Sequence, residues 1–365
     1  MKVALLHDHL NQIGGAEKVL FSFHNIFPEA PIYTLVHDAD KTKNYFSHLN
    51  IKTSFIQKLP GGKSHFKWYL PWMPAAVENF DLSEYDLVLS DCSALIKGVV
   101  TSSKTLHICY CHTPTRYLWS DTHSYINDLN SSKLVKMLLP IYLKKLRVWD
   151  RLASERVDKY IANSHFVQKR IEKYYRRSSM VIHPPVDISQ FEIADGYDDY
   201  YLVVSRLRPY KKVDLVISAF NKLKIPLKII GTGEEEAKLK KMAEPNIEFL
   251  GPLPDNQVRK YYSRCKAFIN PQEEDFGITP VEAMASGRPV IAFRAGGALE
   301  SVEENKTGVF FNEQSWEELA DTVLRFKPDD YNPAEIREHA QKFDIKQFES
   351  RIKDFVDHSW QEFKS

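Results

Sequence analysis

Short apolar runs that do not alternate with polar residues recur along this chain, and helical patterns lie between many of them. The first run is Val3-Ala4-Leu5-Leu6. A strand with one wet face alternates, whereas an unbroken apolar run suits a strand buried on both faces of a parallel sheet. Further runs at Pro31–Val36, Leu87–Leu89, Leu106–Tyr110, Tyr160–Ala162 and Met180–Ile182 extend a first unit. A second unit starts at Tyr201–Val204 and continues through Lys228–Ile230, Ile247–Leu250, Ala267–Ile269 and Pro289–Ala292. Helices are expected over 212–223, 234–243, 255–264 and 280–286. The alternation predicts an α/β fold of two doubly wound domains. Pro184-Pro185 and an acidic, patternless stretch place the boundary within His183–Asp199. The tail Ile345–Phe363 has helical periodicity, and no strand is expected after it.

A length of 365 residues suits two domains, and 43% hydrophobic with 27% charged residues is ordinary globular composition. No apolar run approaches the roughly 18 residues of a membrane span. The start turns polar at His7-Asp8, too early for a signal peptide. Cys92, Cys109, Cys111 and Cys265 have neither disulfide density nor zinc spacing, so a reducing cytoplasm is expected. The net charge of +1 conceals an asymmetry. Residues 1–185 carry 24 basic and 16 acidic side chains, net +8; residues 186–365 carry 25 and 32, net −7. One half is therefore suited to a polyanion or an anionic membrane.

Several constellations follow strands. Gly14-Gly15 precedes a helix at Ala16, where unpaired amides and the dipole end could take a phosphate; a tight turn is the other reading. Gly231-Thr232-Gly233 lacks the third glycine of the dinucleotide fingerprint, and Glu234-Glu235-Glu236 would repel a pyrophosphate, so it reads as structural. In the segment 271–282, Thr279 fits an N-cap and Glu282 the third helical position, a capping box that would explain Glu282 without any ligand. The same loop sits at a strand's carboxyl end, where ligands bind in open α/β sheets. There Gly277 and the amides of Ile278 and Thr279 could receive a phosphate, and Glu274 could accept from paired sugar hydroxyls. Arg206 and Lys211 follow the strand Tyr201–Val204 and could neutralise a diphosphate, or simply form a solvated basic loop. Asp38-Ala39-Asp40 reads as a turn.

Ser205-Arg206-Leu207-Arg208-Pro209-Tyr210-Lys211, the pair Glu274 and Glu282 at Glu-x7-Glu spacing, and Gly296-Gly297-Ala298-Leu299-Glu300 together resemble the family 4 glycosyltransferases. The block Ala162-Asn163-Ser164-x-Phe166-Val167 resembles another common block of that family, and the segment Cys111–Trp119 is similar to its bacterial polysaccharide-assembly branch. The resemblance implies a GT-B fold, in which two Rossmann-like domains face each other and a C-terminal helix crosses back. It assigns 1–185 plus 341–365 to an acceptor-binding domain and 190–340 to a nucleotide-sugar-binding domain. It implies retaining transfer of a hexose, mannose from GDP-mannose, to a saccharide or polyprenyl-linked acceptor, without cofactor or obligatory metal. By matching position, Arg206 and Lys211 would bind the donor diphosphate. Glu274, with the 277–279 amides, would hold the hexose, and Glu282 the ribose. Gly15, beside Gly14, would approach the distal phosphate. His112 would support the transition state at the sugar ring, although a packed imidazole is its other reading. A UDP-sugar transferase, a nucleotide-sugar hydrolase or epimerase, and a silent sugar-binding subunit remain alternatives.

The basic excess falls in residues 132–177, with thirteen basic against four acidic residues and apolar side chains interleaved. The stretch 58–72 mixes Lys58, Lys63 and Lys67 with Phe66, Trp68, Tyr69, Leu70 and Trp72. Such faces suit an anionic membrane, here the cytoplasmic one, or are ordinary solvated helix faces. No nucleic-acid-binding motif accompanies them, and no nucleic-acid partner is expected.

Overall fold

The computed structural model describes residues 1–122, 126 and 133–365, with the side chains of 133–135 outside that description. Residue 132 and the Lys133 and Leu134 side chains of the basic stretch therefore lie outside the described residues. The chain divides into two compact units, residues 1–183 with 348–365 and residues 184–347.

The first unit is built on seven parallel strands: β1 (Val3–His7), β2 (Ile32–Thr34), β3 (Ile51–Thr53), β4 (Leu87–Cys92), β5 (Leu106–Cys111), β6 (Lys159–Ala162) and β7 (Met180–Val181). Their order is β3-β2-β1-β4-β5-β6-β7. Its helices include α1 (Gly15–Ile26), α2 (Ala39–Phe46), α3 (Met73–Glu78), α4 (Lys133–Ala153) and α5 (His165–Tyr175). The unalternating runs have the burial they predicted. Ala4 and Leu6 of β1 enter one core, while Val3 and Leu5 enter another on the opposite face.

The second unit repeats the plan with β8 (Tyr201–Val204), β9 (Leu227–Ile230), β10 (Ile247–Gly251), β11 (Phe268–Asn270), β12 (Val290–Phe293) and β13 (Gly308–Phe311), in the order β10-β9-β8-β11-β12-β13. Its helices are α6 (Val213–Leu223), α7 (Glu236–Met242), α8 (Asp255–Arg264), α9 (Ile278–Ala285), α10 (Ala298–Ser301), α11 (Trp316–Arg325) and α12 (Pro333–Ala340). Leu202 packs on one face of this sheet, Tyr201 and Val203 on the other. In both units strand order reverses at one point, between β1 and β4 and between β8 and β11. Crevices for ligands form at the carboxyl ends of strands at such a switch point.

Two expectations are corrected. The return to the first unit begins at Phe348, not at 341. Phe343 is buried in the second unit's core, and its carbonyl accepts from Val186 N at 2.9 Å. Phe348, Ile352 and Val356 of the final helix α13 (Ile345–Lys364) then enter the first unit's core, where Phe348 stacks on Phe23 at 5.8 Å. The helix α9 begins at Ile278 with Gly277 as N-cap, so Thr279 is not the cap and no capping box forms.

Candidate active site

In the second unit the predicted cations and carboxylates gather at the ends of β8 and β11. Arg206 lies two residues beyond β8 and is exposed. Lys211 closes a single 3-10 turn, Pro209–Lys211, and Lys212 then takes a left-handed conformation (φ 54°) that redirects the chain into α6. Glu274 lies four residues beyond β11. The Lys211 ammonium donates to Glu274 Oε1, and both side chains are largely buried. Gln272, not singled out from the sequence, donates through Nε2 to Glu274 Oε1 at 3.1 Å and to Asn270 Oδ1 at 3.0 Å. It fixes the carboxylate from below.

Glycines set this loop's height. A Cβ on Gly296 would lie 2.3 Å from the Glu274 carbonyl oxygen, and one on Gly297 would lie 2.2 Å from Phe276 Cα. Gly297 N donates to the Glu274 carbonyl at 2.9 Å. The loop therefore rests directly on the Gly296-Gly297 backbone. Gly277 is left-handed (φ 86°) and releases the chain into α9. The amides of Ile278 and Thr279 stand in the first turn, where no preceding helical carbonyl takes them. Glu282 accepts from the Tyr262 hydroxyl at 3.1 Å. Burial first, and then the Glu282 carboxylate, raise the Tyr262 phenol well above its usual range, so it stays a donor.

Gly231 and Gly233 are structural, as read, and their role is specific. Cβ atoms there would lie 1.9 Å from the Ser205 and 2.2 Å from the Leu207 carbonyl oxygens. They form the floor under the loop that carries Arg206.

In the first unit His112 stands just beyond β5. Its Nε2 lies 2.5 Å from Asp91 Oδ1. Asp91 Oδ2 lies 2.8 Å from His7 Nδ1, and His7 Nε2 lies 3.7 Å from Glu17 Oε1. Parallel register makes the middle link, since His7 of β1 is the direct partner of Asp91 on β4. Burial alone would lower the His7 pKa, but Asp91 and Glu17 outweigh it and hold it up at about 10. Burial would raise Asp91, but His112 and then His7 hold its carboxyl below the usual range. His7 and Asp91 are thus a charged pair inside the protein. Gly14 precedes α1 in an extended conformation (φ −151°), and its missing Cβ leaves room for Glu17, whose Oε2 would be 3.1 Å away. Gly15 opens the helix and is exposed.

Two further carboxylates frame this site. Asp8 accepts from the backbone amides of Ser93, Ala94, Leu95 and Ile96 at 2.7–2.8 Å and pins the loop after β4. Asp150 accepts from Lys97 (2.5 Å), Thr115 (3.0 Å), Trp119 (2.7 Å) and Tyr175 (3.0 Å). Thr115 and Trp119 of the His112–Trp119 segment therefore anchor it. The sequence reading missed His7, Glu17, Asp91 and Asp150. For Asp91 a signal was present, a carboxylate at the end of the run Leu87–Leu89 beside the crossover.

Asp38 and Asp40 pair with Lys63 at 3.2 and 3.4 Å. Among the described residues no group of three or more His, Cys, Asp or Glu is placed to hold a metal ion. No helix among them is long and apolar enough to cross a membrane.

Two family descriptions match the chain in succession: "Glycosyltransferase Family 4" over residues 13–190 and "Glycosyl transferases group 1" over 186–343. An alpha-1,3/1,6-mannosyltransferase of Dictyostelium discoideum is 25% identical over 64% of this chain and 65% of its own. The O-antigen chain mannosyltransferase C of Escherichia coli is 24% identical over 50% of this chain and 52% of its own. The chain thus spans between half and two thirds of the length of these relatives. The crystal structure of Anabaena HepE in complex with UDP and glucose has the same fold, with a TM-score of 0.75, 20% identity and coverage of 98% of this chain and 99% of that one.

Proposed function

We infer that this chain, which belongs to the family 4 glycosyltransferases of GT-B fold, moves mannose from GDP-mannose to a saccharide or polyprenyl-linked acceptor with retention of configuration. The two mannosyltransferase relatives support the sugar. The observation that carries the reading is the Lys211–Glu274 pair beside Arg206 at the β8–β11 switch point. Without donor the two charges satisfy each other. With donor, the diphosphate takes Lys211 and the hexose hydroxyls take Glu274, so neither buried charge is left without a partner.

Chemistry then follows from charge. As the glycosidic bond to the diphosphate breaks, the sugar becomes oxocarbenium-like and negative charge concentrates on the leaving phosphate. Arg206, Lys211 and the first-turn amides at Ile278 and Thr279 stabilise that charge. Glu282 holds the ribose. The family resemblance implies a role at the sugar for His112, fixed by Asp91, and one at the distal phosphate for the Gly14-Gly15 amides. The acceptor attacks on the face the phosphate leaves, and the phosphate helps remove its proton. No step calls for a metal.

The test is sugar release from GDP-mannose, UDP-glucose and UDP-N-acetylglucosamine, with and without saccharide acceptors, and with chelator present. Acceptor-dependent release from GDP-mannose, giving an α-linked product, is expected. Release that ignores the acceptor would mark a hydrolase, and preference for a UDP-sugar would overturn the donor. Lys211→Ala and Glu274→Ala should each abolish transfer in a folded protein.

A further inference from the structure

Helix α4 is apolar on two sides. One side buries Leu143, Leu146 and Ala153 in the first unit. The other leaves Met137, Ile141, Val148 and Leu152 exposed by 65%, 60%, 56% and 55%. At 3.6 residues per turn these four fall within an arc of about 60°. Exposed Lys144 and Lys145 lie along the same stripe. The one acidic residue between 136 and 152, Asp150, is buried against Lys97.

A second exposed segment adjoins it. The 3-10 helix Phe66–Trp72 leaves Trp68 and Trp72 exposed by 73% and 60%, with Lys67 also at the surface. The Tyr142 hydroxyl of α4 donates to the Leu70 carbonyl at 3.0 Å, and Leu139 and Tyr142 share a core with Phe66 and Leu70. The stretch 58–72 carries no acidic residue.

Large apolar side chains clustered at a surface mark an interaction site. Here the cluster is studded with lysines whose stems can lie along apolar surface while their ammonium groups reach outward. Indole rings favour the headgroup level of a bilayer. A second copy of the chain, docked through this patch about a two-fold axis, would set Lys144 and Lys145 against their own counterparts. We propose that α4 and the segment Phe66–Trp72 form one docking surface for an anionic lipid bilayer. α4 would lie flat, with its Met137–Leu152 stripe among the acyl chains and its lysines at the headgroups. This surface does not depend on which sugar the protein transfers.

The experiment is co-sedimentation of the full chain with extruded vesicles of phosphatidylglycerol and phosphatidylcholine, against phosphatidylcholine alone. Binding should require phosphatidylglycerol, weaken at raised salt and shift tryptophan emission to the blue. The Lys144→Gln/Lys145→Gln pair should weaken binding about tenfold or more. Ile141→Asn/Val148→Asn should weaken it while leaving the thermal melt unchanged, and Trp68→Phe/Trp72→Phe should remove most of the blue shift. Binding to neither vesicle would overturn the proposal. So would equal, salt-insensitive binding to both, or variants that bind like the parent. Self-association abolished by Ile141→Asn/Val148→Asn, without vesicle binding, would assign the surface to a second copy instead.

Discussion

Asp91 Oδ1 and His112 Nε2 are joined by a 2.5 Å hydrogen bond. Asp91 is an ionised acceptor, so His112 is the donor in this bond, through Nε2. The array explains why Asp91 stays ionised in a dry site. His112 first, and then His7 with Glu17 behind it, favour the carboxylate.

Asp91→Asn should therefore damage transfer more than folding. The amide can still fill the space, but it no longer fixes the His112 tautomer or stabilises its imidazolium. A fall in kcat of about 100-fold, with a much smaller change in donor KM, is expected from losing one oriented acid–base group. An unchanged kcat with a raised KM would make His112 a binding contact only.

The same array gives stability a pH signature. The folded pKa of His7 is about 10 against an ordinary imidazole value of 6.5. Its contribution is complete below the unfolded value and is lost as pH rises from there through about 10. His9 and His107 run the other way. Burial lowers them to about 4 and about 3, so their neutral forms favour the fold above 6.5 and stability drains away as pH falls below it. Melting temperature should peak near neutrality. Glu17→Gln should move the alkaline limb to lower pH and leave the acid limb in place. An alkaline limb that stays put in that variant would mean Glu17 does not hold the His7 charge.

The loop bearing Glu274 gives a geometric prediction with an internal control. Ala at Gly297 must displace the Phe276 backbone, at about 3 kcal/mol, and the donor KM should rise because Glu274 moves with it. Gly196, unlike Gly297, is left-handed (φ 75°), and nothing lies within 4 Å of its missing Cβ. Ala there should cost about 1–2 kcal/mol of conformational strain and leave kinetics alone. Equal kinetic effects of the two changes would refute the role given to Gly297.

What could be read beforehand was what rests on local pattern. The strand Tyr201–Val204 and the helix Asp255–Arg264 have the expected bounds, because a buried run and a 3.6-residue period are written in neighbouring residues. The strands Ile51–Thr53 and Gly308–Phe311 escaped notice. The first has only one apolar residue and lies at a sheet edge, and in the second Gly308 packs flat against the Val290 carbonyl. Arg206, Lys211 and Glu274 were singled out by their places after apolar runs and Glu282 by its helix position and motif resemblance, and the structure pairs Lys211 with Glu274. The His7–Asp91–His112 array was not legible. It depends on the register of strands 84 residues apart, which no local spacing encodes.

Packing of the long helix α4 on the turn after β4 explains why Lys97 can be buried. Its ammonium meets Asp150 at 2.5 Å and the Ala94 carbonyl at 2.9 Å, with the Tyr175 ring 5.0 Å away. Lys97→Ala would strand a fully buried carboxylate, which costs about 3–5 kcal/mol. Chemical denaturation should show that loss. Asp150→Asn should lose about as much, because it leaves the buried Lys97 ammonium unpaired and its one carbonyl oxygen cannot serve donors that use both Oδ1 and Oδ2. A Lys97→Ala loss under about 1 kcal/mol would show that Thr115, Trp119 and Tyr175 suffice.

The Lys211–Glu274 pair makes the last prediction, because stability and donor binding should separate there. Both side chains are largely buried, so removing either leaves a charge unpaired and should cost about 1–3 kcal/mol, and a double-mutant cycle of Lys211→Ala and Glu274→Ala should show a coupling of similar size. On the proposed reading the donor does not merely add to this pair; it replaces it. Saturating donor at about 100 times its Kd stabilises a competent site by about 2.7 kcal/mol. That shift in melting temperature should appear in the parent and vanish in Lys211→Ala, which has lost its contact to the diphosphate. Glu274→Ala should keep part of the shift, and should respond almost equally to the free nucleoside diphosphate and to the nucleotide sugar, since its loss is felt at the hexose. A Lys211→Ala protein still protected by donor would place the diphosphate elsewhere.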